Sequence, residues 1–213
     1  MNNCLYLISF LCSLTAAATG AHAATIVSVS GSGTSFTGVA VTAAGWTQTA
    51  TYNNVSVSAV LTNASGIGAG LAMHAFLTTS IGAGTTVANE IASVGFNLSP
   101  GLQQNVSLFS GLTLGPGNYF LVMQMDGGTT GQGGWAVAIP TVVTDTGVTR
   151  VGDRFATTAA SYAPASVTNL INNAQHLRYS VESVENAVPE PSTAALVLTA
   201  GFGLVLGSRT RRR

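Results

Sequence analysis

Between residues 24 and 188 the chain holds two histidines, His74 and His176, and six carboxylates, Glu90, Asp126, Asp145, Asp153, Glu182 and Glu185. Serines are plentiful, so all three residue types of a Ser-His-Asp relay are present, and either histidine would be its base in a secreted hydrolase. No Gly-x-Ser-x-Gly turn is there to present the nucleophile. His74 sits in an apolar run and reads as a hydrogen-bonded core histidine, whereas His176 opens the last strand-like segment and reads as solvated. A glycosidase pair would have to be drawn from six scattered acids, and Glu182 and Glu185 read as a solvated face. Asp126 and Asp153 stand beside glycines in segments that read as loops and would suit Ca²⁺, but such a site needs six to eight oxygens close together. Gly66-Ile67-Gly68-Ala69-Gly70 lacks the strand-loop-helix setting of a phosphate loop and reads as a turn. The expectation is no catalytic set, no metal and no cofactor.

Aromatic residues are the better candidates for recognition. Trp46, Tyr52 and Trp135 flank expected strand ends, and indole and phenol faces stack on sugar rings, so these three are the carbohydrate-binding candidates. The competing role is packing in or at the rim of a β-sandwich, which is the commoner fate of two tryptophans in such a domain. Charge narrows the partners further. The chain carries seven basic and seven acidic residues, but Arg209, Arg211, Arg212 and Arg213 lie at its extreme end. Between residues 24 and 188 only Arg150, Arg154 and Arg178 face the six acids, a net charge of −3 with no lysine. Nucleic acid is excluded as an expected partner, because nothing would neutralise its phosphates. Cys4 and Cys12 both precede residue 24, so the body has no thiol chemistry and no disulfide.

The elements that must carry these residues read as strands. Val55, Val57, Ala59 and Leu61 alternate with Ser56 and Ser58. Leu71, Met73, Ala75 and Leu77 alternate with Ala72, His74 and Phe76, as in a strand buried on both faces. Runs follow at Ala92-Val94-Phe96-Leu98, Val106-Leu108, Tyr119-Leu121-Met123-Met125, Trp135-Val137-Ile139, Val142-Val143 and Leu177-Tyr179-Val181. Turn residues separate them, and Gly115-Pro116-Gly117-Asn118 suits a type II turn with Gly117 at positive φ. Residues 86–92 and 166–174 lack alternation and are expected to hold a helical turn or two, with Ser166 as a cap. The expected class is all-β, a single antiparallel β-sandwich of jelly-roll type over residues 24–186.

Both ends differ from this body. Residues 5–14 are mostly apolar and too short to span a bilayer, and Ala21-His22-Ala23 offers the small-x-small pattern for cleavage before Ala24, so residues 1–23 read as a signal peptide. At the other end, Val188-Pro189-Glu190-Pro191 precedes an apolar run at residues 193–207 and then the four arginines. The prolines stop any helix from running back into the body. The run's 15 residues make a helix of about 22 Å against a hydrocarbon core of ~30 Å, a weak anchor. Arginines are costly to move through hydrocarbon and favour the cytoplasmic side.

In its order of motif, apolar span and basic end, the segment at residues 187–213 resembles the PEP-CTERM tail of exported bacterial proteins. The resemblance implies a transmembrane sorting helix. It makes Val188, Pro189, Glu190 and Pro191 the recognition motif and Arg209, Arg211, Arg212 and Arg213 the cytoplasmic stop. It implies signal peptidase and an exosortase as processing partners, in a Gram-negative bacterium that makes exopolysaccharide. The stretch Leu112-Thr113-Leu114-Gly115-Pro116-Gly117-Asn118-Tyr119, with Gly45-Trp46 and Gly134-Trp135, is similar to the "choice-of-anchor" β-sandwich domains of surface proteins. The function expected on these resemblances is that of a non-enzymatic surface or matrix protein, anchored transiently in the inner membrane and then placed in the outer envelope or extracellular matrix. The alternative is a carbohydrate-binding module on exopolysaccharide.

Overall fold

The computed structural model describes residues 23–33, 35–64, 70–126, 133–156, 159–172 and 175–184. Its strands are β1 (Ala23–Ser30), β2 (Val41–Gln48), β3 (Tyr52–Asn63), β4 (Leu71–Thr78), β5 (Glu90–Leu98), β6 (Gly101–Leu114), β7 (Gly117–Met125), β8 (Gly133–Trp135), β9 (Val137–Ala138), β10 (Thr141–Thr144), β11 (Val148–Ala156), β12 (His176–Leu177) and β13 (Tyr179–Val184). All pair antiparallel. One sheet runs β10-β1-β13-β3-β6 with β8 also on β3, a second runs β11-β2-β7-β4-β5, and β12 pairs with β9. The expected all-β antiparallel class is what these residues form, within one compact unit, Ala23–Glu185.

Period-two alternation builds the core. Val55, Val57, Ala59 and Leu61 of β3 are wholly buried, as are Val27 of β1 and Val181 of β13. From the other sheet, Leu71, Met73, Ala75 and Leu77 of β4 and Leu121 and Met123 of β7 join the same apolar cluster. Each valine, leucine or methionine among them contributes roughly 1.5–3 kcal/mol on removal from water. A second, smaller cluster lies on the outer face of the five-stranded sheet. There Val41, Ala43, Phe76 and Val122 are covered by Ala163 and Val167, with Leu170 and Tyr162 packed around them.

β2 therefore buries both faces, and its run of Thr42, Ala43, Ala44 and Gly45 shows no polar alternation to betray a strand. At Gly134 (φ +147) a Cβ would stand 1.8 Å from the Thr37 carbonyl oxygen, so only glycine lets β8 approach that segment.

The expected helical stretches shrink to single 3-10 turns. Val87–Asn89 is one, with Asn89 Oδ1 accepting the Thr86 N–H at 3.1 Å, and β5 starts immediately after it. The other lies earlier than expected, at Ala163–Ser166, where Pro164 presets the first turn. Ser166 ends that turn instead of capping a new one, and its Oγ accepts the Ala160 N–H at 2.6 Å. The β6–β7 connection also departs from a type II turn. Gly117 has φ +157, far from the ~+80° of that turn, because it is already paired in the sheet opposite Gln48.

Candidate functional site

Charged groups converge where β11 meets β12. β11 shifts register against β2 between Arg150 and Gly152. Gly152, at φ +148, gives the room: a Cβ there would lie 2.7 Å from the Ile171 carbonyl oxygen. The backbones of Asp153 and Ile171 then exchange hydrogen bonds of 2.9 and 2.8 Å. This turns the Asp153 carboxylate inward, 0% exposed, onto Arg150 Nη2. Arg150 Nη1 also donates to Asn172 Oδ1 at 3.0 Å. Burial raises the Asp153 carboxyl above the usual carboxylate range, while Arg150, His176 and the Leu177 N–H pull it back.

His176 is buried in this cluster, which corrects the expectation of a solvated ring. Its Nδ1 lies 3.2 Å from Asp153 Oδ2, near enough for attraction but without hydrogen-bond alignment. Its Nε2 lies 3.4 Å from Arg150 Nη1. Arginine only donates, so a neutral ring with its proton on Nδ1 would accept this contact at Nε2. The two ring nitrogens thus face charged partners of the cluster, Nδ1 toward Asp153 and Nε2 toward Arg150. Asp153 is likewise a correction: it lies within β11, not in a loop, and its carboxylate already pairs with an arginine instead of a metal ion. Among the described residues no group of three or more His, Cys, Asp or Glu side chains is placed to hold a metal.

His74 is half-buried on β4 and stacks on Phe76, ring centroids 4.5 Å apart. Glu182, expected on a solvated face, is half-buried and accepts the Ser180 hydroxyl at 2.8 Å. Glu185 falls outside the described residues.

The structure places the aromatic candidates in the core, which corrects their expected role. Trp46 and Trp135 are each 0% exposed and Tyr52 is 9% exposed, so none offers a ring face to a sugar. Tyr119 stacks on Trp46 at 5.6 Å, and Tyr179 contacts Trp46 and Trp135 at 6.1 Å each, a spine between the two large sheets. Their polar tips are used inside the molecule. Trp46 Nε1 donates to Gln48 Oε1 at 3.1 Å, Trp135 Nε1 to the Arg178 carbonyl at 2.7 Å and Tyr52 to Asp145 Oδ2 at 2.8 Å. The Tyr179 hydroxyl is buried without a hydrogen-bond partner, and burial together with the Asp153 charge raises its pKa well beyond the ordinary tyrosine range, against the opposing pull of Arg150.

A different surface is open. Across the outer face of the six-stranded sheet, Ser28 of β1 is in register with Ser180 of β13, and Ser180 with Ser58 of β3. These serines, with Asn105, Arg178 and Glu182, line a groove of about 360 Å³. At one end Gln103 adopts φ +53 and uses both ends of its amide, donating to the Gly33 carbonyl and accepting from Arg178 Nη1 at 2.8 Å. Composition alone could not find this groove, because each serine looks like ordinary strand polarity until the registers align them.

Of the processing residues, Ala23 and Ala24 open β1 opposite Val184 and Ser183. Ala21, Val188, Pro189, Glu190, Pro191, Arg209, Arg211, Arg212 and Arg213 lie outside the described residues, as does the apolar run at 193–207. No helix among the described residues is long and apolar enough to cross a membrane. No family model, no curated protein and no solved structure matches the chain.

Proposed function

We propose that this chain is an exported, non-enzymatic surface or extracellular-matrix protein, held in the inner membrane by residues 187–213 until an exosortase cuts near Val188, Pro189, Glu190 and Pro191. The observation that carries this reading is the ordered tail: a proline pair, then an apolar span of 15 residues, then four arginines within the last five. Such a span is too short for a durable anchor and long enough for a halt. The cysteine-free body suits an oxidising compartment. Removal of residues 1–23 would shorten β1 by one residue and leave its pairing with β13 in place. The strand order supports a jelly-roll sandwich. The orders β1-β13-β3-β6 and β2-β7-β4-β5 are those expected of the two four-stranded sheets of a double Greek key, with β10 and β11 added at one side.

Mass spectrometry and terminal sequencing of the protein from an exosortase-competent host test the sorting reading. A start at Ala24 and an end between Val188 and Pro191 is expected. Full-length protein still ending in Arg213 would sink it.

The groove favours a second reading, a module that contacts exopolysaccharide. Its serines both donate and accept, Arg178 and Glu182 cancel in charge, and the body at −3 repels acidic polymers, so a neutral polyhydroxylated chain fits best. Retarded migration in native gels containing dextran or hydroxyethyl cellulose, lost in Ser58→Tyr and kept in Ser93→Tyr, is the expected result. Equal migration with and without every neutral polymer would exclude this reading.

A further inference from the structure

Arg178 is the one cation among the residues that line the groove on the six-stranded sheet. Its backbone is fixed from two sides. The N–H donates to the Ala136 carbonyl at 3.0 Å, and the carbonyl accepts from the Val60 N–H at 3.0 Å and from Trp135 Nε1 at 2.7 Å. The side chain is held far more lightly. Among the described residues no carboxylate lies within ion-pair range of the guanidinium. Its single hydrogen-bond acceptor there is Gln103 Oε1 at 2.8 Å, and Nε is buried without a partner. A guanidinium only donates, through several N–H groups. Most of these donors are therefore left for oxygens from outside the protein.

Gln103 decides where that guanidinium points. Leu61 pairs with Gln104 and Asn63 with Gly101, so Leu102 and Gln103 together oppose Thr62 alone, a β-bulge of the kind that re-aims a side chain. Gln103 takes φ +53, a left-handed conformation that is costly for a residue with a Cβ and free for glycine. In that conformation its N–H reaches Thr62 Oγ1 at 3.3 Å and its Nε2 reaches the Gly33 carbonyl. With Nε2 committed to Gly33, Oε1 is left for Arg178. A strained backbone beside a groove, where glycine would relieve it, marks a position whose side chain matters. The rest of the groove complements the arginine. Arg178, Ser180 and Glu182 line it at every second residue, and Ser180 donates to Glu182 Oε1 at 2.8 Å, so both offer lone pairs to a ligand. Sugar hydroxyls can donate to these two while accepting from Arg178. We infer that Arg178 fixes a neutral polysaccharide in the groove by donating to its hydroxyl oxygens, and that Gln103 is the positioning residue that aims it, an inference that rests on the groove reading.

The experiment is affinity electrophoresis of the protein purified from its exporting host, in native gels over a series of dextran or hydroxyethyl cellulose concentrations, which yields a Kd for each variant. Losing a hydrogen bond from a charged donor weakens binding roughly tenfold or more. That is the expected effect of Arg178→Met and of Gln103→Gly, each with unchanged circular dichroism. Glycine adopts φ +53 without strain, so a Gln103 that served only the fold would give a Gln103→Gly protein with wild-type Kd. Gln103→Asn is the second variant at this position: it tolerates the left-handed conformation but is one methylene short of Arg178, and it should weaken binding likewise. Ser58→Tyr fills the groove and should abolish retardation. Wild-type affinity in Arg178→Met, Gln103→Gly or Gln103→Asn, with retardation still abolished by Ser58→Tyr, would overturn this assignment and leave the groove reading standing. No retardation of the wild type by either polymer would overturn both.

Discussion

Arg150 and Asp153 form an ion pair whose side chains are 6% and 0% exposed, and such a pair is held in place more by the cost of halving it than by its net attraction. Replacing Asp153 with leucine would leave a guanidinium deprived of its carboxylate, with Asn172 and His176 as remaining partners. Removing one partner from a buried pair costs about 3–5 kcal/mol. Against a total stability of roughly 5–15 kcal/mol that is a large fraction. At about 2–4 °C per kcal/mol for a domain of this size, Asp153→Leu should lower Tm by roughly 10 °C. Arg150→Met should cost a similar amount, because it strands the wholly buried carboxylate. The double variant Arg150→Met/Asp153→Leu removes both charges and keeps the volume, so it should recover most of the loss, leaving chiefly the orphaned His176 Nε2 and Leu177 N–H. Urea unfolding of the four proteins closes the cycle. A double variant as unstable as the sum of the singles would refute the reasoning, since it would mean that the two side chains act independently.

Trp46→Ala should destabilise by about 3–5 kcal/mol through loss of core volume, seen as a fall in the urea midpoint, and folded variant should keep whatever polysaccharide retardation the wild type shows. Gly134→Ala should destabilise, although a glycine-to-alanine change within a strand ordinarily stabilises by about 0.5–1 kcal/mol, with the folded fraction measured by circular dichroism, because its Cβ collides with backbone and not with a side chain. Tyr119, Tyr162 and Tyr179 all have raised pKa values through burial, Tyr162 to about 12 with help from Glu90. A folded pKa above the unfolded one gives stability that is complete below pH ~10 and is lost as the pH climbs through the folded value. Phenolate absorbance should therefore lag behind that of the urea-unfolded chain, and thermal stability should fall only above pH ~10. Coincident folded and unfolded titrations would contradict this.

The all-β class was legible because β3, β4, β5 and β7 each set apolar against polar or against a second apolar face with period two. β2 escaped, since its small residues are buried on both sides and leave no contrast. β11 escaped as well: Gly152 and Asp153 look like a loop, and their backbone need is met by Ile171, far along the chain. The two tryptophans illustrate a different limit. Sequence placed them correctly near strand ends, but which face of a strand points inward depends on register, and register put both inside. The Arg150–Asp153–His176 cluster and the serine groove are likewise products of pairing between distant segments, for which spacing in the chain carries no signal.

The place of β1 in its sheet has a consequence for when this protein can fold. The first strand finds its partners only at residues 141–144 and 179–184, so its loop-closure cost is among the largest the chain can incur. Such non-local pairing is slow to form. A chain threaded out N-terminus first would therefore keep its leading strand unpaired through most of its passage, and the sheet would close only when β13 emerged. The topology itself delays closure of this sheet, and in a chain exported as proposed β1 would wait for strands that follow it by more than 100 residues.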